Sequence, residues 1–254
     1  MLRHFRIPAF VLLIVALPLL AAEARAASDP RAIEVADRVM SALGGKARWD
    51  SLPGLRWAFG VMVNDTMRGA MRRHAWDKHT GWHRVDGMDR QGNNYVFIHK
   101  VGSTEGMAWI AGKKMEGDTL TALLKRAQSL WTNDTYWLLM PYKLRDPGVN
   151  LGYDGEAVEN GVTYDKLALT FDKVGETPGD RYWVYVNRAN NRVEIWEHIL
   201  QGQPPPAVRW TWEKWEQDGG LWFPSYHNGA ENRSVCTLYA KAVTKFNDTE
   251  FTAP

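Results

Sequence analysis

From residue 55 onward, short β-patterned segments follow one another with only hairpin-length links between them, and this spacing most constrains the fold. Segments 55–63, 69–76, 81–86, 94–101 and 106–111 are rich in aromatic and β-branched residues and are bounded by turn formers. After Gly148, segments 149–158 and 162–171 flank Asn160-Gly161, a dipeptide that favours the two-residue hairpin turn. Segments 181–188 and 192–200 meet around Asn190-Asn191, and segments 207–216 and 221–227 meet around Asp218-Gly219-Gly220. Segment 234–246 closes the chain. About ten or eleven strands linked in this way predict a large antiparallel sheet and exclude βαβ units. No linker or long repeat divides them.

Helical signals are few. Asp29-Pro30 supplies a cap and a first-turn proline, Ile33, Ala36, Val39, Met40 and Leu43 recur at helical spacing, and Gly44-Gly45 stops the run. Between the two groups of strands, Leu120, Leu123, Leu124, Ala127, Leu130 and Trp131 form a second stripe behind Asp118-Thr119. Thr132-Asn133-Asp134 then offers a cap for a further helix, Tyr136 to Met140, ended by Pro141. The stretch 136–142 is among the most apolar in the chain and too short to span a bilayer, so protein or ligand must cover it.

The N-terminus reads differently. Arg3 and Arg6 precede an uncharged apolar run from Ile7 to Ala22, and Ala24-Arg25-Ala26 has the small-x-small form of a signal-peptidase site. The expectation is a signal peptide at 1–26, a single domain at 27–254, and a periplasmic, secreted protein that is soluble after cleavage and has no stable membrane insertion. Removing Arg3, Arg6, Arg25 and Glu23 takes the chain from 31 basic and 29 acidic residues to 28 of each. That balance argues against a nucleic-acid partner. One cysteine excludes an internal disulfide framework and a thiolate zinc cluster.

The chain carries 13 tryptophans, and strand alternation says where some of them point. Trp210 and Trp212 share one face, opposite Arg209, Thr211 and Glu213; Leu167, Leu169 and Phe171 turn the end of their strand apolar. Segment 181–187 is aromatic on both faces. A sheet of this size has too few helices to cover both sides, which leaves two readings: the aromatics fill a core, or the sheet curls around a pocket plugged by the helices after Asp118. The candidate ligand-binding residues are Trp131, Tyr136, Trp137, Leu138, Met140, Tyr142, Leu169, Phe171, Trp210 and Trp212.

Catalytic spacing is missing. The sequence has no G-x-S-x-G elbow, H-E-x-x-H pair, phosphate loop or G-x-G-x-x-G turn. Cys236, between Val235 and Thr237, reads as a small buried hydrophobe. His74, His79 and His83 gather around Asp77, but their spacing matches no standard metal site, and they read as solvated hairpin residues. No catalytic residue, metal or cofactor is assigned.

Three stretches carry a resemblance: Asn133-Asp134-Thr135-Tyr136-Trp137-Leu138-Leu139-Met140-Pro141-Tyr142-Lys143-Leu144, Thr177-Pro178-Gly179-Asp180-Arg181-Tyr182-Trp183, and Trp210-Thr211-Trp212 with Gly220-Leu221-Trp222-Phe223-Pro224. With the leader, the Leu43-Gly44-Gly45 helix end and the central helical insert, they make the chain resemble the periplasmic lipoprotein-carrier superfamily, the lipoprotein-sorting proteins of the Gram-negative envelope. It is most similar to a secreted bacterial subfamily within that superfamily. The resemblance implies an α+β, mainly β fold: a large curved antiparallel sheet, an open half-barrel, with helices over its concave face. The true carriers latch their lid with an arginine followed by proline on an early strand; the comparable stretch here is Asp77-Lys78-His79, so that role is not carried over. The implied function is that of a periplasmic carrier or binding protein for a hydrophobic ligand, acyl or lipoprotein-like, with a lipid or an envelope protein as partner. The alternatives are a secreted hydrolase and a carbohydrate-binding or envelope scaffold protein. Exposed, coplanar tryptophans would favour sugar stacking, and a closed apolar groove would favour lipid.

Overall fold

The computed structural model describes residues 28–172 and 177–254. The proposed leader lies outside the described residues. Helix α1 (Pro30–Ala42) starts where expected: the Asp29 carboxylate accepts from the backbone N–H of Arg31 at 2.7 Å, and Pro30 occupies the first turn. Gly44 and Gly45, with φ of 115° and 88°, end it and turn the chain back. A Cβ on Gly44 would lie 2.2 Å from the Gly220 carbonyl oxygen, so this crossing admits glycine alone. Helix α2 (Lys46–Ser51) follows, a short element without a sequence signal of its own.

The first group of strands is β1 (Gly54–Val63), β2 (Thr66–Met67), β3 (Arg72–Asp77), β4 (Trp82–Met88), β5 (Asn94–Lys100), β6 (Gly106–Ile110) and β7 (Lys113–Lys114). Helix α3 (Gly117–Leu139) crosses next and runs into a 3₁₀ turn, Met140–Tyr142. The second group is β8 (Val149–Glu159), β9 (Val162–Phe171), β10 (Arg181–Asn187), β11 (Arg192–Ile199) and β12 (Val208–Thr211). Four more complete the chain: β13 (Glu216–Asp218), β14 (Leu221–Phe223), β15 (Tyr226–Asn228) and β16 (Arg233–Val243).

These strands build two antiparallel sheets. One runs β15-β16-β1-β3-β4-β5-β6-β7, with β2 beside β1; the other runs β12-β11-β10-β9-β8; β13 and β14 form a small ribbon. A bridge between Glu213 and Tyr226 joins the large sheets, while β7 and β8 remain edges, so the sheet curves without closing. Bulges between Arg56 and Ala58, Tyr153 and Glu156, and Tyr185 and Val186 add local bend. The architecture is the expected open half-barrel. Residues of α1 (Val35, Val39) and α3 (Leu138, Leu139) share one core with the inner side chains of both sheets, including Trp57, Leu167, Val184 and Trp196.

Two sequence readings need correction. The second helix is not split at Thr132-Asn133-Asp134; α3 continues through it. That tripeptide contains neither glycine nor proline, and the Asp134 side chain is engaged by the sheet below, so it has no backbone N–H to cap. Segments 207–216 and 221–227 are each broken in two, because Lys214 adopts φ of 50° and Pro224 interrupts the ladder. The break lets β12 stay on one sheet and β15 on the other.

Candidate ligand site

The inner face of the smaller sheet is built by strand register. Val184 faces Trp196 across the β10–β11 pair, and Trp196 faces Trp210 across β11–β12; Leu169, Tyr182 and His198 form the adjacent row. The C-terminal part of α3 lowers Tyr136 and Trp137 onto these rows. The Trp137 ring lies 4.9 Å from Trp196, 5.0 Å from Trp210 and 5.3 Å from His227. Tyr136 reaches Tyr182 at 5.7 Å, and Tyr182 meets Phe171 at 4.9 Å and Trp196 at 5.1 Å. Trp212 closes the far end against His227 at 4.4 Å. Most of these pairs are edge-on, the favoured arrangement of aromatic quadrupoles. The result is one continuous aromatic seam between helix and sheet.

The seam is polar-poor and only half-buried at Tyr136, Trp137, Phe171 and Tyr182, and its polar atoms are not matched to one another. The indole N–H groups of Trp196, Trp210 and Trp212 are buried without a hydrogen-bond partner, as are Nδ1 of His198 and of His227. Burial drives the His227 pKa down to about 3 and lowers that of His198. Burial raises Tyr136 well above the ordinary phenol range, and Tyr182 is raised by burial and by its 2.7 Å bond to Asp180. At neutral pH every group in the seam is therefore uncharged.

Of the residues singled out from sequence, Tyr136, Trp137, Phe171, Trp210 and Trp212 come together here. Trp131 does not; it packs edge-on against Trp76 of β3 at 5.4 Å, nearer the other sheet. Leu138, Met140 and Leu169 are core residues, with 0%, 0% and 1% exposure. Tyr142 is an anchor: its ring stacks on Trp49 at 4.6 Å, and its hydroxyl sits 3.0 Å from the Leu43 carbonyl and 2.8 Å from that of Trp222. Sequence reading missed Trp196, His198 and His227. The alternation of Trp196 with His198 was the available signal, but placing that face opposite Trp210 required the register.

The histidine reading is overturned at two of its three positions. His79 is exposed in the β3–β4 turn, but His74 and His83 are buried and join His99 of β5 in a line beneath α3. The reason is alternation: His74, His83 and His99 all lie on the face that α3 covers, beside Trp57, whose ring stacks on His74 at 4.6 Å. Cys236 is fully buried beside Met62, as expected. Among the described residues, no group of three or more His, Cys, Asp or Glu side chains is placed to hold a metal ion.

Two clefts open to solvent lie outside the seam or at its Trp212 end. One of about 480 Å³ runs between α1 and the β9–β11 side, where Arg38 and Arg188 already neutralise the buried Asp165. Another of about 790 Å³ lies along Tyr164, Arg192, Glu194 and Arg209.

No protein-family model matches the sequence, and neither does any curated protein. Solved structures do match in fold. The chain is similar to a DUF1329 family protein from Desulfovibrio piger, at 12% identity over 88% of this chain and 98% of that one, with a TM-score of 0.50. It is equally similar to a domain described as outer membrane lipoprotein-sorting from Vibrio parahaemolyticus, at 10% identity over 87% and 96% of the two chains, again with a TM-score of 0.50. The open half-barrel implied by the resemblance is thus the fold observed, and these structures share it. Among the described residues, no helix is long and apolar enough to cross a membrane.

Proposed function

We propose that this protein is a periplasmic carrier or binding protein for a hydrophobic ligand, acyl or lipoprotein-like, taken up in the seam between α3 and β9–β12. The observation that carries this reading is the Trp137 hub: a lid-borne indole meeting Trp196, Trp210 and His227 through ring contacts alone. Such contacts involve no hydrogen bond between the rings, so the rings can part and close again on an apolar chain without leaving a bonded partner behind. Each buried methylene then contributes about 0.8 kcal/mol, enough for useful affinity without a charged anchor. The fold shared with a lipoprotein-sorting domain supports the same reading, and the leader pattern supports export and a mature domain beginning at residue 27.

The alternatives fit less well. Sugar stacking wants exposed, coplanar rings, whereas Trp137 meets Trp210 at 81° and Trp210 is buried. A hydrolase built on the Asp134–His74 pair would need a free imidazole nitrogen for its nucleophile, but the second nitrogen of His74 is taken by His83 at 3.0 Å.

The test is titration of the purified protein with a fluorescent fatty acid, alongside mass spectrometry of its native organic extract. Saturable binding to the wild type that weakens at least tenfold in Trp137→Ala, with unfolding still cooperative, is the expected result. No binding by the wild type would end the reading.

A further inference from the structure

Beneath the middle of the molecule, five side chains from four elements form a single line. Arg72 of β3 grips Asp134 of α3 with two bonds, Nε to Oδ2 at 2.6 Å and Nη2 to Oδ1 at 2.8 Å. Nε2 of His74 stands 3.0 Å from the same carboxylate. Nδ1 of His74 then faces Nε2 of His83 at 3.0 Å, and Nδ1 of His83 faces Nε2 of His99 at 3.0 Å. All three rings and the carboxylate are buried; the two end nitrogens, Nε2 of His74 and Nδ1 of His99, make no hydrogen bond of good angle, so the tie to Asp134 is one of distance and charge.

The proton order in this line follows from its anchor. Asp134 is held ionised, because its contacts with His74 and Arg72 outweigh the cost of its burial. His74 must therefore present a proton on Nε2, which leaves Nδ1 to accept from His83; His83 in turn accepts from His99. In this state each ring carries one proton. Each ring-to-ring bond needs one bare nitrogen, so of the six ring nitrogens two must stay unprotonated. The line therefore has room for one extra proton, and a second breaks a ring-to-ring bond. Once α3 lifts away and water reaches the rings, all three can be protonated, each near its ordinary pKa of about 6.5.

The geometry points to an acid-operated release: proton uptake by the His74–His83–His99 line frees α3 from the face formed by β3, β4 and β5. This does not depend on what, if anything, the aromatic seam binds. The other charged groups around the line do not replace the mechanism. Arg72 opposes protonation of His74 and Asp134 favours it; Asp86 of β4 acts from farther off and is paired with Arg84 at 2.7 Å. β1 contributes Trp57 and β5 contributes the Tyr95 phenol, both uncharged, while Lys100 is exposed. His198 lies on β11 of the smaller sheet and His227 on β15, at the far edge of the larger one; both are outside the line. Burial holds His83 well below the ordinary imidazole range and His99 at about 4, so the closed form stays unprotonated where the released form would already be charged.

The expected signature is local. In hydrogen exchange read by mass spectrometry from pH 7.5 to 5.0, corrected for intrinsic exchange, α3 should lose protection by at least about 100-fold per pH unit below pH 6. Strands β9–β11 should stay better protected than α3 at every pH of the series. His99→Asn removes one ring and should flatten the dependence by one proton, about tenfold per pH unit. Unchanged protection of α3 down to pH 5, or loss of α3 and β9–β11 together at every pH, would overturn the proposal. If His99→Asn does not fold, ¹⁵N-imidazole spectra of the wild type decide it. Three rings in the Nε2–H form at pH 7.5, with at most one titrating before α3 signals broaden, support the line; three independent titrations near pH 6.5 refute it.

Discussion

Helix α3 is held in two different ways along its length. Over β3 it is fixed by directed contacts: Asp134 meets Arg72 and His74, and His83 and His99 continue the line across β4 and β5. Over β10–β12 it is held by rings that touch without bonding, and several buried indole N–H groups there go unanswered. The directed contacts tolerate no displacement without exposing a charge. The ring contacts can repack, because packing alone holds them and no hydrogen bond fixes a partner. The difference teaches that side chains three residues apart near one end of a helix, Asp134 and Trp137, can be held by different physics, one by charge and direction and the other by packing.

Breaking the directed contacts should have the largest effect. Asp134→Ala leaves Arg72 and His74 facing an apolar helix, and urea unfolding should show a loss of about 3–5 kcal/mol, the range for removing one partner of a buried ion pair. The ring contacts should yield less to the same treatment. Trp137→Ala should cost about 3 kcal/mol, at the low end for a large aromatic because the ring is half-buried and its neighbours can close in. A loss for Trp137→Ala that equals or exceeds that for Asp134→Ala would erase the distinction.

Acidity should sharpen it. His227 is neutral in the folded state, with its pKa at about 3, and has an ordinary value of about 6.5 when unfolded. Between those values the unfolded state binds the additional proton, so stability falls as pH drops below 6.5 and is unaffected above it. The slope for this one group is about 1.4 kcal/mol per pH unit, and His227→Phe should remove that share from a series of urea melts at pH 7, 6 and 5. An unchanged slope would place the acid sensitivity of the fold elsewhere. The smallest effect belongs outside both sets of contacts: Arg145→Ala, which breaks an exposed pair with Asp37, should change stability by less than about 1 kcal/mol.

The local grammar of this chain was readable and its lateral grammar was not. Asn160-Gly161 marked the β8–β9 hairpin, Gly44-Gly45 marked the end of α1, and alternation placed Trp210 and Trp212 inward, because each signal is carried by residues a few positions apart. The histidine line depends on residues 74, 83, 99 and 134 meeting across three strands and a helix, and a spacing of 9 and then 16 residues has no meaning until the hairpin registers are set. The same holds for Trp196, which became part of the seam through its pairing with Trp210. The missed continuity of α3 had the opposite cause: Thr132-Asn133-Asp134 carries a strong local preference that a tertiary ion pair overrode.

Tyr142 gives α3 a fixed end. Its hydroxyl is tied between the Leu43 and Trp222 carbonyls, and its ring is clamped on Trp49, so the junction after Leu139 behaves as a fulcrum. A 23-residue helix is about 34 Å long at 1.5 Å per residue. A tilt of about 10° at the tyrosine would therefore sweep the Gly117 end through roughly 6 Å while the Trp137 end, close to the pivot, moves about 1 Å by the same geometry. The helix works as a lever: its far end, packed over β5 and β6, swings widely, while Asp134 and Trp137, both within two turns of the fulcrum, part only narrowly from what they touch.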